Sequence, residues 1–106
     1  MARITYKEHR GDRYLNLSAR VDGKRAGYSI TIGWAPNNDG GLFSRNVNAA
    51  TVRVTVTKDG APQDVVLFAA EAGRAKYQSE AYKMGRAFVR EHKLKALIER
   101  DLTATL

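Results

Sequence analysis

Cysteine is absent from this 106-residue chain. That excludes disulfides, thiol catalysis and Cys-ligated zinc, and it fits a reducing, cytoplasmic compartment. Histidine is limited to His9 and His92; neither has a matching ligand at metal spacing, and no nucleophile motif surrounds either. His9 falls in an expected turn and His92 beside an expected helix break. Asn38-Asp39-Gly40 has the look of a calcium-loop fragment but lacks the alternating acidic ligands and the closing Glu. Gly40-Gly41 is not followed by a helix opening on Lys-Ser/Thr, so it is no phosphate loop. These absences predict a non-enzyme with no metal and no cofactor. The longest uncharged apolar run, Val65-Val66-Leu67-Phe68-Ala69-Ala70, is far short of the ~20 residues a membrane helix needs. The start, Met1 to Tyr6, carries a charge but no apolar stretch of the kind a signal peptide has.

What is present is ordinary globular material: hydrophobic residues at 43% and charged residues at 27%. The length allows one hydrophobic core, so a single domain over 1–106 is expected. The formal charge of +7 favours an anionic partner such as nucleic acid, an acidic protein surface or anionic lipid.

Two hairpin signals organise the first two thirds of the chain. Arg13 to Val21 and Lys24 to Trp34 flank Asp22-Gly23, a pair suited to the positive φ angles of a two-residue type I′ turn. That turn pairs Leu15 with Ile30, Leu17 with Tyr28 and Ala19 with Ala26 on one side of the pleat. The other side carries Tyr14, Asn16, Ser18, Arg20, Arg25, Ser29 and Thr31, which makes it polar and partly basic. Thr51 to Lys58 and Ala61 to Phe68 repeat the pattern around Asp59-Gly60, with Val54 facing Val65 and Val52 facing Leu67. Pro62, near that strand's start, marks an edge. A short strand over Arg3 to Glu8 precedes them and turns through His9 to Asp12. The long segment 35–49, rich in Asn and Gly, reads as a loop that is either functional or disordered.

From about Ala70 the period lengthens. Tyr77, Ala81, Met84 and Phe88 form an apolar stripe for a helix lying on the sheet. Leu94, Leu97 and Ile98 are out of phase with that stripe, which predicts a kink near His92-Lys93. They pack either on the other edge of the sheet or on a second copy of the chain. The fold class is therefore α+β: an antiparallel sheet of four to five strands over 3–68, packed against a long C-terminal helix over 70–102.

The clearest chemical pattern lies on that helix. Lys76, Ser79, Lys83, Arg86, Arg90 and Lys93 recur at three- and four-residue spacings as one basic ridge, tempered by Glu80 and Glu91. Such a ridge positions a phosphate backbone without reading sequence. Arg20, Lys24 and Arg25 add a second basic group at the first turn. Arg20 and Arg25 face each other across the strands, a like-charge pair that invites an anion or a neighbouring carboxylate. Tyr14 and Asn16, with Phe43 and Arg45 in the loop, supply groups able to stack on or hydrogen-bond to bases.

Hairpins followed by a helix resemble, in architecture, the β-sheet DNA-binding domains of some integrases and the strand-rich single-strand binders. Small proteins of this composition also resemble phage and mobile-element accessory proteins, including inhibitors of host defence systems. The leading expectation is a nucleic-acid-binding protein, for DNA or RNA. The alternative is an accessory protein that docks on and inhibits a host protein complex, with Leu94, Leu97 and Ile98 in the interface or in a homodimer.

Overall fold

Five antiparallel strands follow one another in chain order across a single sheet, and two helices cover one of its faces. The computed structural model describes residues 3–11, 13–34 and 50–104; Phe43, Arg45 and the rest of 35–49 lie outside the described residues. The strands are β1 (Ile4–Gly11), β2 (Tyr14–Val21), β3 (Lys24–Trp34), β4 (Ala50–Lys58) and β5 (Val65–Ala75), followed by α1 (Gln78–Glu91) and α2 (Leu94–Ala104). The α+β class stands. No helix among the described residues is long and apolar enough to cross a membrane.

The Asp22-Gly23 turn forms, with both residues at positive φ (53° and 82°). Beside it Arg20 pairs with Arg25 and Val21 with Lys24, the register that the two-residue turn requires. Further along, the register differs from the expected one. Leu15 faces Ile32 and Leu17 faces Ile30, because β3 holds two extra residues between Arg25 and Ser29. The excess is accommodated at Gly27, whose φ of 84° only glycine adopts freely. Its carbonyl accepts a hydrogen bond from the Asp59 amide at 2.7 Å, tying the bulge to the end of β4. A slip of two leaves every side chain on its expected side of the sheet.

The second hairpin is corrected more deeply. The chain reverses across Asp59 to Asp64 rather than at Asp59-Gly60, so Lys58 pairs with Val65 and Val54 with Ala70. In consequence β5 runs on to Ala75, and the segment from Ala70, expected as helix, is strand. The helix begins at Gln78. Residues 69–75 are mostly good helix formers, but the whole length of β4 offers them a partner, and pairing overrides propensity. Gly73, at φ 144°, absorbs one of the two register shifts along the ladder. The first strand also reaches further than expected, to Gly11, which places His9 and Arg10 in the sheet.

The core lies between the sheet and the helices. Leu15, Ile30, Ile32, Val52, Val54 and Val56 meet Ala81, Tyr82 and Val89 of α1 and Leu94 and Ile98 of α2. The stripe on α1 is rotated from the expected one: Tyr82, Gly85 and Val89 are buried beside Ala81, whereas Tyr77 precedes the helix and is 62% exposed. The helix does break where expected. Lys93 takes the left-handed conformation (φ 52°), and the His92 amide caps onto the Phe88 carbonyl at 3.0 Å. That turn swings Leu94 and Ile98 back onto the sheet. Leu94 and Ile98 are buried in the core and so are unavailable as the docking surface expected of them, while Leu97, partly buried, packs against the same core.

Candidate nucleic-acid interface

Because both helices sit on one side, the opposite face of the sheet is covered by no described element. Register decides what stands on it. One row across β1 to β5 is His9, Asn16, Thr31, Thr55 and Ala69; the next is Lys7, Ser18, Ser29, Thr57 and Val66. Toward the Asp22-Gly23 turn follow Thr5, Arg20 and Arg25. Toward the other end lie Gly11, Tyr14, Gly33, Arg53 and Glu71. The middle of the face is thus short hydroxyl and amide side chains, exemplified by the 3.0 Å hydrogen bond that Asn16 donates to Thr31. β-Branched threonines favour the strand without raising bulk above it. Cations stand around this middle: Lys7 on the β1 edge, Arg20 and Arg25 toward the turn, and Arg53 toward the other end.

Tyr14 is the aromatic group of this surface. It is 37% exposed, and its ring lies across Gly11, where any Cβ would overlap it. The His9 ring is tilted against it at 6.0 Å. The two rings are inclined at 44° to each other, and the part-exposed Tyr14 ring offers a surface on which a planar base can stack. The sequence named Tyr14 but placed His9 in a turn. The missed signal was that Glu8 and Arg10 occupy the inward positions of β1, which ended the apolar alternation early.

The Arg20–Arg25 pair forms across the strands as expected. The carboxylate that relieves it is Asp59, 3.1 Å from Arg25, rather than the adjacent Asp22. Arg20 donates to the Gly23 carbonyl at 3.2 Å, and its buried Nε has no hydrogen-bond partner. Lys24 pairs in register with Val21, so it belongs to the helix side of the turn.

The helix ridge is on the other side of the sheet and is shorter than expected. Lys76 precedes the helix, its ammonium 5.9 Å from the Tyr77 ring. Lys83, Arg86 and Arg90 share one exposed line on α1, and Lys93 stands at the break. Arg86 is ion-paired to Glu8, which also takes Arg10 at 3.4 Å. Glu80, Glu91 and Glu99 further dilute this side. The structure therefore separates what the sequence grouped: Tyr14, Asn16, Arg20 and Arg25 share the open face, while Lys83, Arg86, Arg90 and Lys93 do not reach it. The open face gains Lys7, His9, Arg53 and a field of threonines that hairpin-by-hairpin reading could not assemble. Among the described residues no group of His, Asp or Glu is placed to hold a metal ion. Compared with known proteins, the chain matches no family model, no curated protein and no solved structure.

Proposed function

We propose that this protein binds nucleic acid across the open face of its sheet. The observation that carries the reading is the coincidence, on one uncovered surface, of the adjacent Tyr14 and His9 rings with Lys7, Arg20, Arg25 and Arg53 around hydroxyl side chains. That face holds the carboxylate of Glu71 on β5, set against Arg53, and Asp59 reaches Arg25 from just beyond β4. Cations hold phosphates, hydroxyls and Asn16 hydrogen-bond sugars and backbone, and the rings stack on bases. A stacking ring is of use only where bases are unstacked, so single strands are the favoured form. The test is fluorescence anisotropy with single- and double-stranded DNA and RNA over a range of salt. Salt-dependent binding that weakens about tenfold in Tyr14→Ala, as loss of a stacked base implies, supports the reading. Absent or salt-insensitive binding overturns it.

A protein partner is the second reading, and one observation favours it. β5 is an edge strand whose first residues, Val65 and Val66, are 51% and 59% exposed. Bare apolar edges accept an added strand. The accessory or inhibitor role anticipated from composition would act through this edge, since Leu94 and Ile98 are buried. Stoichiometric co-elution of a partner, resistant to nuclease and lost in Val66→Lys, would support it.

A further inference from the structure

On the helix side, β1 and β2 and the junction of α1 with α2 enclose a cleft of about 670 Å³. That volume is in the roughly 300–1,000 Å³ range of small-molecule sites. It faces away from the surface proposed for nucleic acid, and the residues lining it play no part there. Leu17, Val89 and Ala96 give it an apolar lining. At one end Glu8 is neutralised by Arg86 and Arg10. At the other, the Lys95 ammonium lies 4.7 Å over the Tyr6 ring, and the Tyr6 hydroxyl donates to the Lys95 carbonyl at 3.5 Å. Glu99 follows Lys95 by one helical turn and stands near enough to Tyr6 to help hold its phenol protonated. Arg90 and Lys93 border the same cleft, and neither is in an ion pair within the described part of the chain.

Three cations outside any ion pair of the described residues (Arg90, Lys93 and Lys95, the last over the Tyr6 ring), an apolar lining and the Glu99 carboxylate describe a ligand with three kinds of surface. A bare inorganic anion would leave the lining wet and would gain nothing from Glu99. We infer that the cleft binds a nucleoside phosphate: Arg90 and Lys93 hold the phosphate, Leu17 and Val89 carry the flat base, and Glu99 accepts from sugar hydroxyls or base amines. The same group arrives either as a free nucleotide or as the 5′-phosphorylated end of a strand.

The test is calorimetric titration of the full chain with adenosine 5′-monophosphate, with inorganic phosphate, and with a short single strand bearing or lacking a 5′-phosphate. Lys93→Gly suits the left-handed backbone at that residue and removes the cation without straining the junction. Saturable binding of the monophosphate or of the 5′-phosphorylated strand is expected, with inorganic phosphate at least tenfold weaker. Lys93→Gly and Arg90→Gln should each weaken it by roughly tenfold, as loss of a charge-assisted contact implies, while Arg100→Gln, on the exposed side of α2, leaves it unchanged. A free nucleotide that binds alone marks a metabolite site; a gain confined to the 5′-phosphorylated strand marks end recognition. Equal affinity for inorganic phosphate, no saturable binding of either ligand, or indifference to both substitutions overturns the inference. Failure of Tyr14→Ala to affect polymer binding bears on the sheet-face reading alone.

Discussion

Gly85 lies directly against Ile32: a Cβ at Gly85 would overlap Ile32 Cγ2 and come within 2.8 Å of its Cδ1. The missing side chain is what lets the middle of α1 settle onto β3. Alanine in a helix is intrinsically better than glycine by about 1 kcal/mol, yet overpacking a filled core costs about 1–3 kcal/mol. Gly85→Ala is therefore expected to lower stability in denaturant titration. In an Ile32→Ala background the same substitution should become neutral or favourable, a coupling that a double-mutant cycle reads directly.

Ile98 is fully buried and Leu94 nearly so. Ile98→Ala should destabilise by roughly 2–5 kcal/mol, the range for truncating a large core side chain. A residue serving only as a docking surface would leave the urea midpoint of the isolated chain where it was.

Alkaline pH should loosen the attachment of α2. Burial, helped by Glu99, pushes the Tyr6 hydroxyl up to about 12. Tyr28 is also raised above the ordinary tyrosine range, by burial first and then by the hydrogen bond it donates to Asp101 at 2.5 Å. A raised value means stability that is whole below pH 10 and is lost as pH climbs through the folded value. Asp101, held low chiefly by Tyr28, acts in the opposite sense, its contribution lost only as pH falls below the usual carboxylate range. Denaturation midpoints should hold steady at neutral pH and decline above pH 10. In absorbance titration Tyr6 and Tyr28 should ionise late, and Tyr28→Phe should remove one of these two late steps.

Salt dependence offers a count of phosphate contacts on the open face. The logarithm of affinity should fall linearly with the logarithm of salt, by about 0.7 per phosphate neutralised on a single strand. Arg53→Gln and Lys7→Gln should each reduce that slope by about 0.7, whereas Lys83→Gln, on the far side of the sheet, should leave it alone. Equal effects from Lys83→Gln would return the helix ridge to consideration.

The elements that were legible in the sequence are those set by local chemistry. Asp22-Gly23 dictates its turn through backbone torsions, and two-residue alternation assigns Leu15, Leu17, Ile30 and Ile32 to one side whatever the register. The break near Lys93 showed because Leu94 and Ile98 fell out of phase with the helix before them. What escaped depended on distant partners. Residues Ala69 to Ala75 are strand because β4 lies alongside. Lys7, His9 and Arg53 join Tyr14 only when strands from three parts of the chain align. The cleft at Arg90 and Lys93 exists only once α2 has folded back over β1.

The doubled bulge at Gly27 makes the first hairpin sensitive to the parity of chain length. Removing one residue there would turn one arm of β3 over, sending Tyr28, Ile30 and Ile32 toward solvent and Ser29 and Thr31 into the core. Removing two would return the plain hairpin register with inside and outside intact. Length changes at this point should therefore be survivable in pairs and ruinous singly, so the bulge marks where the sheet could be shortened without exchanging its two faces.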